Sequence, residues 1–129
     1  MKTAVVAWGR LNPTTRGHEK LFERVLSLSK RYDGTPMVYV SQTQNKKKNP
    51  LSYEQKIHYI RQGMPRELGR FVYKDRSIKT VIDLMIKLDE QRYDNVVFVA
   101  GEDRVPEYEK FLTKYNGRDY SFDSLIVVS

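Results

Sequence analysis

The residues best suited to chemistry lie close together near the start of the chain, in the segment GRLNPTTRGH at positions 9–18. Arg10 is a fixed cation whose planar guanidinium suits phosphate oxygens, and Gly9 lets a ligand approach the backbone closely. Gly17 exposes backbone N–H groups at a helix start, where the helix dipole favours an anion. His18 lies in the same first turn and can donate to that anion. The segment therefore predicts binding of a nucleoside triphosphate.

Glycine, proline and threonine also gather in ordinary tight connections between a strand and a helix, and a histidine at a helix start is commonly solvated. In this chain the segment follows a predicted strand at 4–8, opens a predicted helix at 17–30, and carries two arginines, Arg10 and Arg16. This combination favours the nucleotide-binding interpretation for the whole segment, Asn12 included.

Strand and helix patterns alternate along the rest of the chain. Short apolar runs predict strands, apolar residues at helical spacing predict helices, and Ser52 with Gln55 matches a capping box. The alternation predicts an α/β fold with a doubly wound, Rossmann-like parallel sheet of five strands and helices on both faces. The predicted strands are 4–8, 37–40, 71–73, 95–100 and 125–128, and the predicted helices are 17–30, 52–63, 78–88 and 108–115.

In such a sheet, ligands bind beyond the carboxyl ends of the strands, where the strand order reverses. The candidate site is therefore expected in the loops that begin at Trp8, Ser41, Lys74 and Gly101. Three ring-bearing residues are interpreted instead as packing residues: Trp8, Tyr39 and His58.

Composition limits the class of protein. The 129 residues fit one domain spanning 1–129, and the net charge of +7 suits anionic partners. The chain has no cysteine and two histidines, so we expect neither disulfides nor protein ligands for a metal. No apolar run approaches the ~20 residues that span a bilayer, and the first residues do not resemble a signal peptide. We therefore expect a cytoplasmic protein with no membrane partner.

The pattern Gly9-Arg10-x-x-Pro13-x-Thr15-x-Gly17-His18 resembles the His/Thr-x-Gly-His signature of the cytidylyltransferase-like nucleotidyltransferases. Its opening Gly-Arg-x-x-Pro is similar to archaeal-type nicotinamide-mononucleotide adenylyltransferases and to cytidylyltransferase-like proteins of tailed phages. The resemblance implies transfer of a nucleoside monophosphate, AMP before CMP, from an NTP to a phosphate-bearing small molecule such as nicotinamide mononucleotide. Pyrophosphate is released, and Mg²⁺ is the implied cofactor, bound with the NTP.

The resemblance also implies roles for individual residues. His18 takes the position of the histidine that contacts the triphosphate as pyrophosphate leaves. Thr15 takes that of a hydroxyl donor to phosphate, and Arg10 that of an arginine that reaches phosphate. These three are the predicted catalytic residues, and Gly17 would leave room for the nucleotide against the helix start.

Residues 48–52, KNPLS, are similar to the Asn-Pro-Phe-Thr segment of the archaeal-type enzymes. The similarity implies that this segment lies close to the substrates. Lys46 and Lys48, with Lys47 between them, are therefore candidates for binding the triphosphate or an acceptor phosphate. For each lysine taken alone, a solvated loop position is the open alternative.

Residues 100–104, AGEDR, resemble the Gly-x-Asp-Arg motif that lies beside the nucleoside in this superfamily. The resemblance implies nucleotide binding by Gly101, Asp103 and Arg104. For Asp103 a second interpretation stays open, in which the carboxylate bonds to the local backbone of the turn.

The sequence departs from the family pattern after the fifth strand. The family carries a Ser/Thr-rich phosphate-binding motif with an arginine there, whereas this sequence stops at Ser129, so the domain 1–129 is expected to lack that motif. One alternative is then a non-catalytic nucleotide-binding module. A nucleic-acid-binding protein is less favoured, because only the net charge supports it. The choice between ATP and CTP, the acceptor and the formation of a homo-oligomer also stay open.

Overall fold

The computed structural model of the protein describes residues 1–9, 16–42 and 52–129, with Arg16 and Gly17 described by their backbone alone. Strands and helices alternate along this part of the chain. The strands are β1 (Thr3–Gly9), β2 (Thr35–Val40), β3 (Val72–Tyr73), β4 (Asn95–Val99) and β5 (Ser124–Val128). The helices are α1 (Arg16–Arg31), α2 (Tyr53–Gly63), α3 (Arg66–Gly69), α4 (Val81–Glu90) and α5 (Val105–Tyr115).

The strands form a parallel sheet in the order β3-β2-β1-β4-β5. β1 lies at the centre, where Val6 pairs with Met37 of β2 on one side and with Phe98 of β4 on the other. The strand order reverses at β1 and β4, so a crevice for ligands is expected beyond the carboxyl ends of these strands. This topology confirms the predicted Rossmann-like α/β fold.

β1 is apolar throughout because both of its faces are covered. Val5 and Ala7 are buried in a core that includes residues of α1 and α2. Ala4 and Val6 are buried in a second core that includes residues of α4 and α5. Since successive side chains of a strand point to opposite faces of the sheet, helices cover both faces, as the doubly wound arrangement predicts.

Two helices begin at capping boxes. Ser52 Oγ accepts from the backbone N–H of Gln55 at 3.2 Å, and Gln55 Oε1 accepts from the backbone N–H of Ser52 at 2.9 Å, which confirms the predicted start of α2. Thr80 and Asp83 form the corresponding pair at the start of α4. The predicted start of that helix at Ile78 is therefore wrong, although the Ile78 side chain is buried in the second core.

Two short elements were not predicted from the sequence: α3 and a 3₁₀ turn at Glu102–Arg104. Among the packing assignments, Tyr39 is buried as expected, whereas His58 is exposed, so that assignment is wrong. In the described ranges, none of the helices has both the length and the apolar character that crossing a membrane requires.

Candidate functional site

A cleft of about 590 Å³ opens at the carboxyl ends of β1 and β2. Its walls come from the ends of these strands, from the start of α4, and from the 3₁₀ turn and α5. The volume lies within the range of small-molecule sites, roughly 300–1,000 Å³. Among the described residues, those that line the cleft are Trp8, Gly9, Ser41, Lys79, Thr80, Val81, Ile82, Arg104, Tyr108 and Phe111.

Three aromatic side chains line this cleft. Tyr108 is partly buried, and its ring lies 4.9 Å from that of Phe98 in β4. Phe111 is 41% exposed, with its ring 5.6 Å from that of Tyr115. Trp8 packs against the second core, as the sequence predicts, and also contributes to the cleft. Aromatic faces held in this way suit stacking with a planar ring.

Two cationic side chains accompany the aromatic ones. Arg104 lies over the Tyr108 ring, 5.1 Å from guanidinium carbon to centroid, and its Nε is 3.6 Å from Glu107 Oε2. Both partners of this ion pair are more than half exposed, so it neutralises Arg104 only weakly. Lys79, just before α4, also lines the cleft and is exposed. The cleft therefore combines ring-stacking surfaces with positive charge.

The start of α4, on the cleft wall, already holds an anion of its own. Asp83 Oδ2 accepts from the backbone N–H groups of Lys79 at 3.0 Å and Thr80 at 3.1 Å. The Thr80 hydroxyl accepts from the Asp83 backbone N–H at 3.1 Å. A carboxylate at a helix start satisfies the groups that would otherwise attract an external anion. We therefore do not expect the backbone N–H groups at the start of α4 to bind a phosphate.

α1 begins after the carboxyl end of β1, so its first turn lies at the same edge of the sheet. Its first backbone N–H groups have no partner within the helix. His18 lies in this turn and is partly buried, and the burial lowers its pKa from the usual value. The uncharged imidazole is therefore favoured at neutral pH in the ligand-free protein.

The residues after β4 form a tight turn at the same edge. The Arg104 backbone N–H donates to the Gly101 carbonyl oxygen at 2.8 Å. The Asp103 carboxylate lies against Gly101, because a Cβ atom built there would be 3.1 Å from Asp103 Oδ1. Asp103 is exposed, and no side chain caps the 3₁₀ turn.

Residues 6–122 match the family model described as cytidylyltransferase-like. The chain belongs to the cytidylyltransferase-like family. The match extends from β1 to Phe122, just before β5, and so includes every element that lines the cleft. It confirms the superfamily resemblance and supports a function of the nucleotidyltransferase type. Searches of curated proteins and of solved structures found no match.

The predicted site residues of this cytidylyltransferase-like domain fall into three groups. Gly9 and Arg104 line the cleft. Gly17 and His18 lie in the first turn of α1, and Gly101 and Asp103 in or beside the turn after β4, so these four lie at the same edge of the sheet as the cleft. Of the described side chains, those of His18 and Asp103 do not line it. The remaining predicted residues lie outside the described residues: Arg10, Asn12, Thr15, Lys46 and Lys48.

Several cleft residues of the cytidylyltransferase-like domain were not predicted from the sequence as site residues. Tyr108 and Phe111 follow helical spacing, a pattern that predicts packing as readily as ligand contact. Lys79 lies just before a helix, where a solvated cation is unremarkable. Lys56 was also missed: it is buried in α2, and Nζ donates to the Ser41 carbonyl oxygen at 3.1 Å. A lysine within an apolar helical pattern, beside Ile57, was the available signal.

Proposed function

We propose that this protein transfers a nucleoside monophosphate, AMP in preference to CMP, from an NTP to a phosphate-bearing small molecule such as nicotinamide mononucleotide. The observation that carries the proposal is the cleft, in which Trp8, Tyr108 and Phe111 accompany Arg104 and Lys79. Aromatic faces suit the ring of a mononucleotide, and the cations suit its phosphate. Family membership supports the reaction type, and the cleft supports the acceptor class.

In the proposed reaction, an oxygen of the acceptor phosphate attacks the α-phosphorus of the NTP in line. One P–O bond forms, the bond from the α-phosphorus to the bridging oxygen breaks, and pyrophosphate leaves with the electron pair. No general base is required, since the acceptor phosphate is already ionised. Catalysis then depends on positioning and on stabilisation of charge.

The protein groups divide between the two substrates. We assign the acceptor to the cleft, where Arg104 and Lys79 would hold its phosphate. We assign the triphosphate to the first turn of α1, where Gly17 presents the backbone and His18 donates a hydrogen bond as pyrophosphate leaves. In the ligand-free protein His18 favours its neutral form, and a neighbouring phosphate raises its pKa and adds positive charge as the complex forms.

The other predicted residues complete this assignment. Arg10 and Thr15 would contact the triphosphate together with His18. Asn12, Lys46 and Lys48 would add phosphate contacts from the two neighbouring loops. Beyond β4, Gly101 would allow close approach of the nucleoside, and the exposed Asp103 carboxylate would accept from a hydroxyl or amino group.

Magnesium would accompany the triphosphate. Gly17 and His18 at the start of α1 and the cations of the cleft suit phosphate oxygens, so the ion would be held chiefly through the triphosphate. Mg²⁺ commonly keeps several water ligands and binds proteins through substrate phosphates. When bound, the ion would neutralise charge on the triphosphate.

The test measures pyrophosphate release with Mg²⁺ and each of ATP, CTP, GTP and UTP, with nicotinamide mononucleotide or another monophosphate as acceptor. We expect release with ATP and the mononucleotide, reduced about 100- to 1,000-fold in His18→Ala. His58→Ala is the matched control, because His58 is exposed on α2, away from the cleft lining.

Thermal stability measured with the same nucleotides separates the alternatives. Nucleotide-dependent stabilisation without pyrophosphate release for any acceptor would replace the proposal with the non-catalytic binding module. If no nucleotide stabilises the protein and no pyrophosphate is released, the assignment of the site is overturned.

A further inference from the structure

A second concave surface lies away from the cleft, along α2 and α3. One depression of about 350 Å³ is lined by residues of α2 and by Lys74, and another of about 240 Å³ by the end of α2 and by α3. Arg61 lines both, so the two depressions adjoin and form one groove. We call this feature the α2–α3 groove.

The α2–α3 groove is strongly cationic. Arg61, Arg66, Arg70 and Lys74 line it, and all four are exposed. Glu54 is the acidic residue in its lining, and the Arg76 guanidinium forms an ion pair with that carboxylate. Four cations along one groove, with the lining carboxylate already paired, favour a ligand with several negative charges.

Two of these cations are held in place by hydrogen bonds to backbone carbonyl oxygens. Arg61 Nη2 donates to the carbonyl oxygen of Val72 in the edge strand β3, at 3.2 Å. Arg70 Nε donates to the Glu67 carbonyl oxygen at 3.3 Å. Each contact uses one of the five donors of its guanidinium, so others remain for a ligand. Partly fixed arginines lose less freedom when they bind phosphate.

Aromatic side chains accompany the cations. His58 lines the first depression and is exposed, and its ring lies 5.6 Å from that of Tyr59, which is 51% exposed. An exposed aromatic pair beside a row of cations provides stacking surfaces next to phosphate contacts. Proteins that bind single strands use this combination, whereas a duplex keeps its bases within the stack.

We propose that the α2–α3 groove binds single-stranded nucleic acid, with Arg61, Arg66, Arg70 and Lys74 on the phosphates and His58 and Tyr59 stacking on bases. This function is additional to nucleotidyl transfer and does not depend on it. It revises the sequence-based expectation that nucleic acid is less favoured. The four cations and His58 come from α2, from α3 and from the positions that follow α3 and β3, and only the fold brings them into one groove, with Tyr59 beside it.

The experiment measures fluorescence anisotropy of a labelled 12-nucleotide RNA, the same sequence as DNA, and the corresponding DNA duplex, at several salt concentrations. We expect both single strands to bind more tightly than the duplex. The logarithm of affinity should fall with the logarithm of salt concentration, with a slope of roughly −2 to −3 for three or four neutralised phosphates. Tyr59→Ala should weaken strand binding about 5-fold or more through lost stacking.

The decisive comparison is between two double variants with the same change in net charge. Arg66→Glu/Arg70→Glu alters the groove and should weaken strand binding at least about 10-fold. Lys110→Glu/Arg118→Glu alters exposed positions on and after α5, which packs on the opposite face of the sheet, and should change binding less than about 3-fold. Circular dichroism and thermal unfolding verify that both variants are folded.

His18→Ala distinguishes this groove from the nucleotide site, and its strand binding should match that of the wild type. If both double variants lose the same amount of affinity for the single strand, net charge alone explains the binding and the proposal is overturned. Duplex binding as tight as strand binding, or strand binding lost in His18→Ala, would overturn it as well. Because nucleotidyl transfer is measured separately, failure here leaves that function intact.

Discussion

Lys56 Nζ, in α2, donates a hydrogen bond to the carbonyl oxygen of Ser41 at 3.1 Å, and Lys56 is only 1% exposed. Ser41 follows β2 and lines the cleft. The bond therefore joins two segments separated by the connection at 43–51 and fixes the backbone of one cleft wall. An ammonium group is costly to bury, so the arrangement requires hydrogen bonds to the buried charge.

Lys56→Met tests this relationship. Methionine retains an unbranched chain but cannot donate to the Ser41 carbonyl, so we expect unfolding free energy to fall by about 1.5–3 kcal/mol, as for hydrogen bonds of charged groups. Urea denaturation measures the change, and Lys110→Met, at an exposed position on α5, should lie within about 0.5 kcal/mol of the wild type. A more stable Lys56→Met protein would mean that desolvation of the ammonium outweighs its hydrogen bonds.

The pKa of His18 predicts a pH dependence of nucleotide binding. Burial lowers this pKa in the free protein, and a bound phosphate would raise it, so binding would take up a proton. Affinity for the nucleotide should then increase as the pH falls below the pKa of His18 in the complex. It should level off below the pKa of His18 in the free protein. Isothermal titration calorimetry from pH 8 to pH 5.5 measures the trend.

His18→Ala provides the reference for that titration, because the nucleotide's own phosphate also ionises in this range. The difference between wild type and variant isolates the imidazole. A pH dependence that is identical in the two proteins would show that His18 does not titrate with binding.

Phe111 provides a test of the cleft that is nearly independent of stability, because its side chain is 41% exposed. Stacking contributes about 1–3 kcal/mol per base, so Phe111→Ala should raise the KM for a mononucleotide acceptor about 5- to 150-fold. The KM for the NTP should change little, since that substrate is assigned to α1. Steady-state kinetics with one substrate saturating measure each value.

Tyr32→Ala is the matched control, since Tyr32 is 38% exposed and follows α1 at the opposite end from His18. It should leave both KM values within about 2-fold of the wild type, as expected for a surface position remote from the site. An acceptor KM that Phe111→Ala leaves unchanged would remove Phe111 from the acceptor site.

Tyr120 predicts a loss of stability at alkaline pH. Its hydroxyl donates to the Leu112 carbonyl oxygen in α5, and burial raises its pKa to about 12. Since the folded pKa exceeds the unfolded value of about 10, this contribution is complete below pH 10 and is lost as pH rises towards 12. Tyr120→Phe should be about 0.5–1.5 kcal/mol less stable at pH 8, and the gap should narrow above pH 10 in urea titrations. A constant gap from pH 8 to pH 11.5 would contradict the shift.

The sequence predicted strand and helix identity well because the signals were local. Continuous apolar runs identified β1 and β4, which are buried on both faces, and Ser52 with Gln55 located the start of α2. The start of α4 was misplaced because Ile78 belongs to the apolar pattern although it precedes the helix. Its side chain packs in the core from the loop before α4, so at this position a buried apolar residue does not belong to the helix.

The candidate site was only partly predictable, because it depends on strand order. Lys79 faces a cleft at the ends of β1 and β2 although it follows β3, and only the parallel topology brings these segments together. The Tyr108 ring contacts Phe98 of the core and also lines the cleft, and its helical spacing indicated packing alone. Residue types identified the phosphate-binding segment, whereas the ring-binding walls required tertiary contacts.

The central position of β1 affects how the chain assembles as it is synthesised. Of the five strands, β1 is synthesised before the others, and one of its edges pairs early with β2, where Val6 pairs with Met37. The other edge of β1 pairs with β4, at Phe98, only after α4 has been synthesised and packed on the opposite face of the sheet from α1. Until then an apolar strand edge is open to pairing with other chains. We therefore expect nascent chains that end before β4 to aggregate or to require a chaperone, whereas chains that include β4 cover this edge of β1.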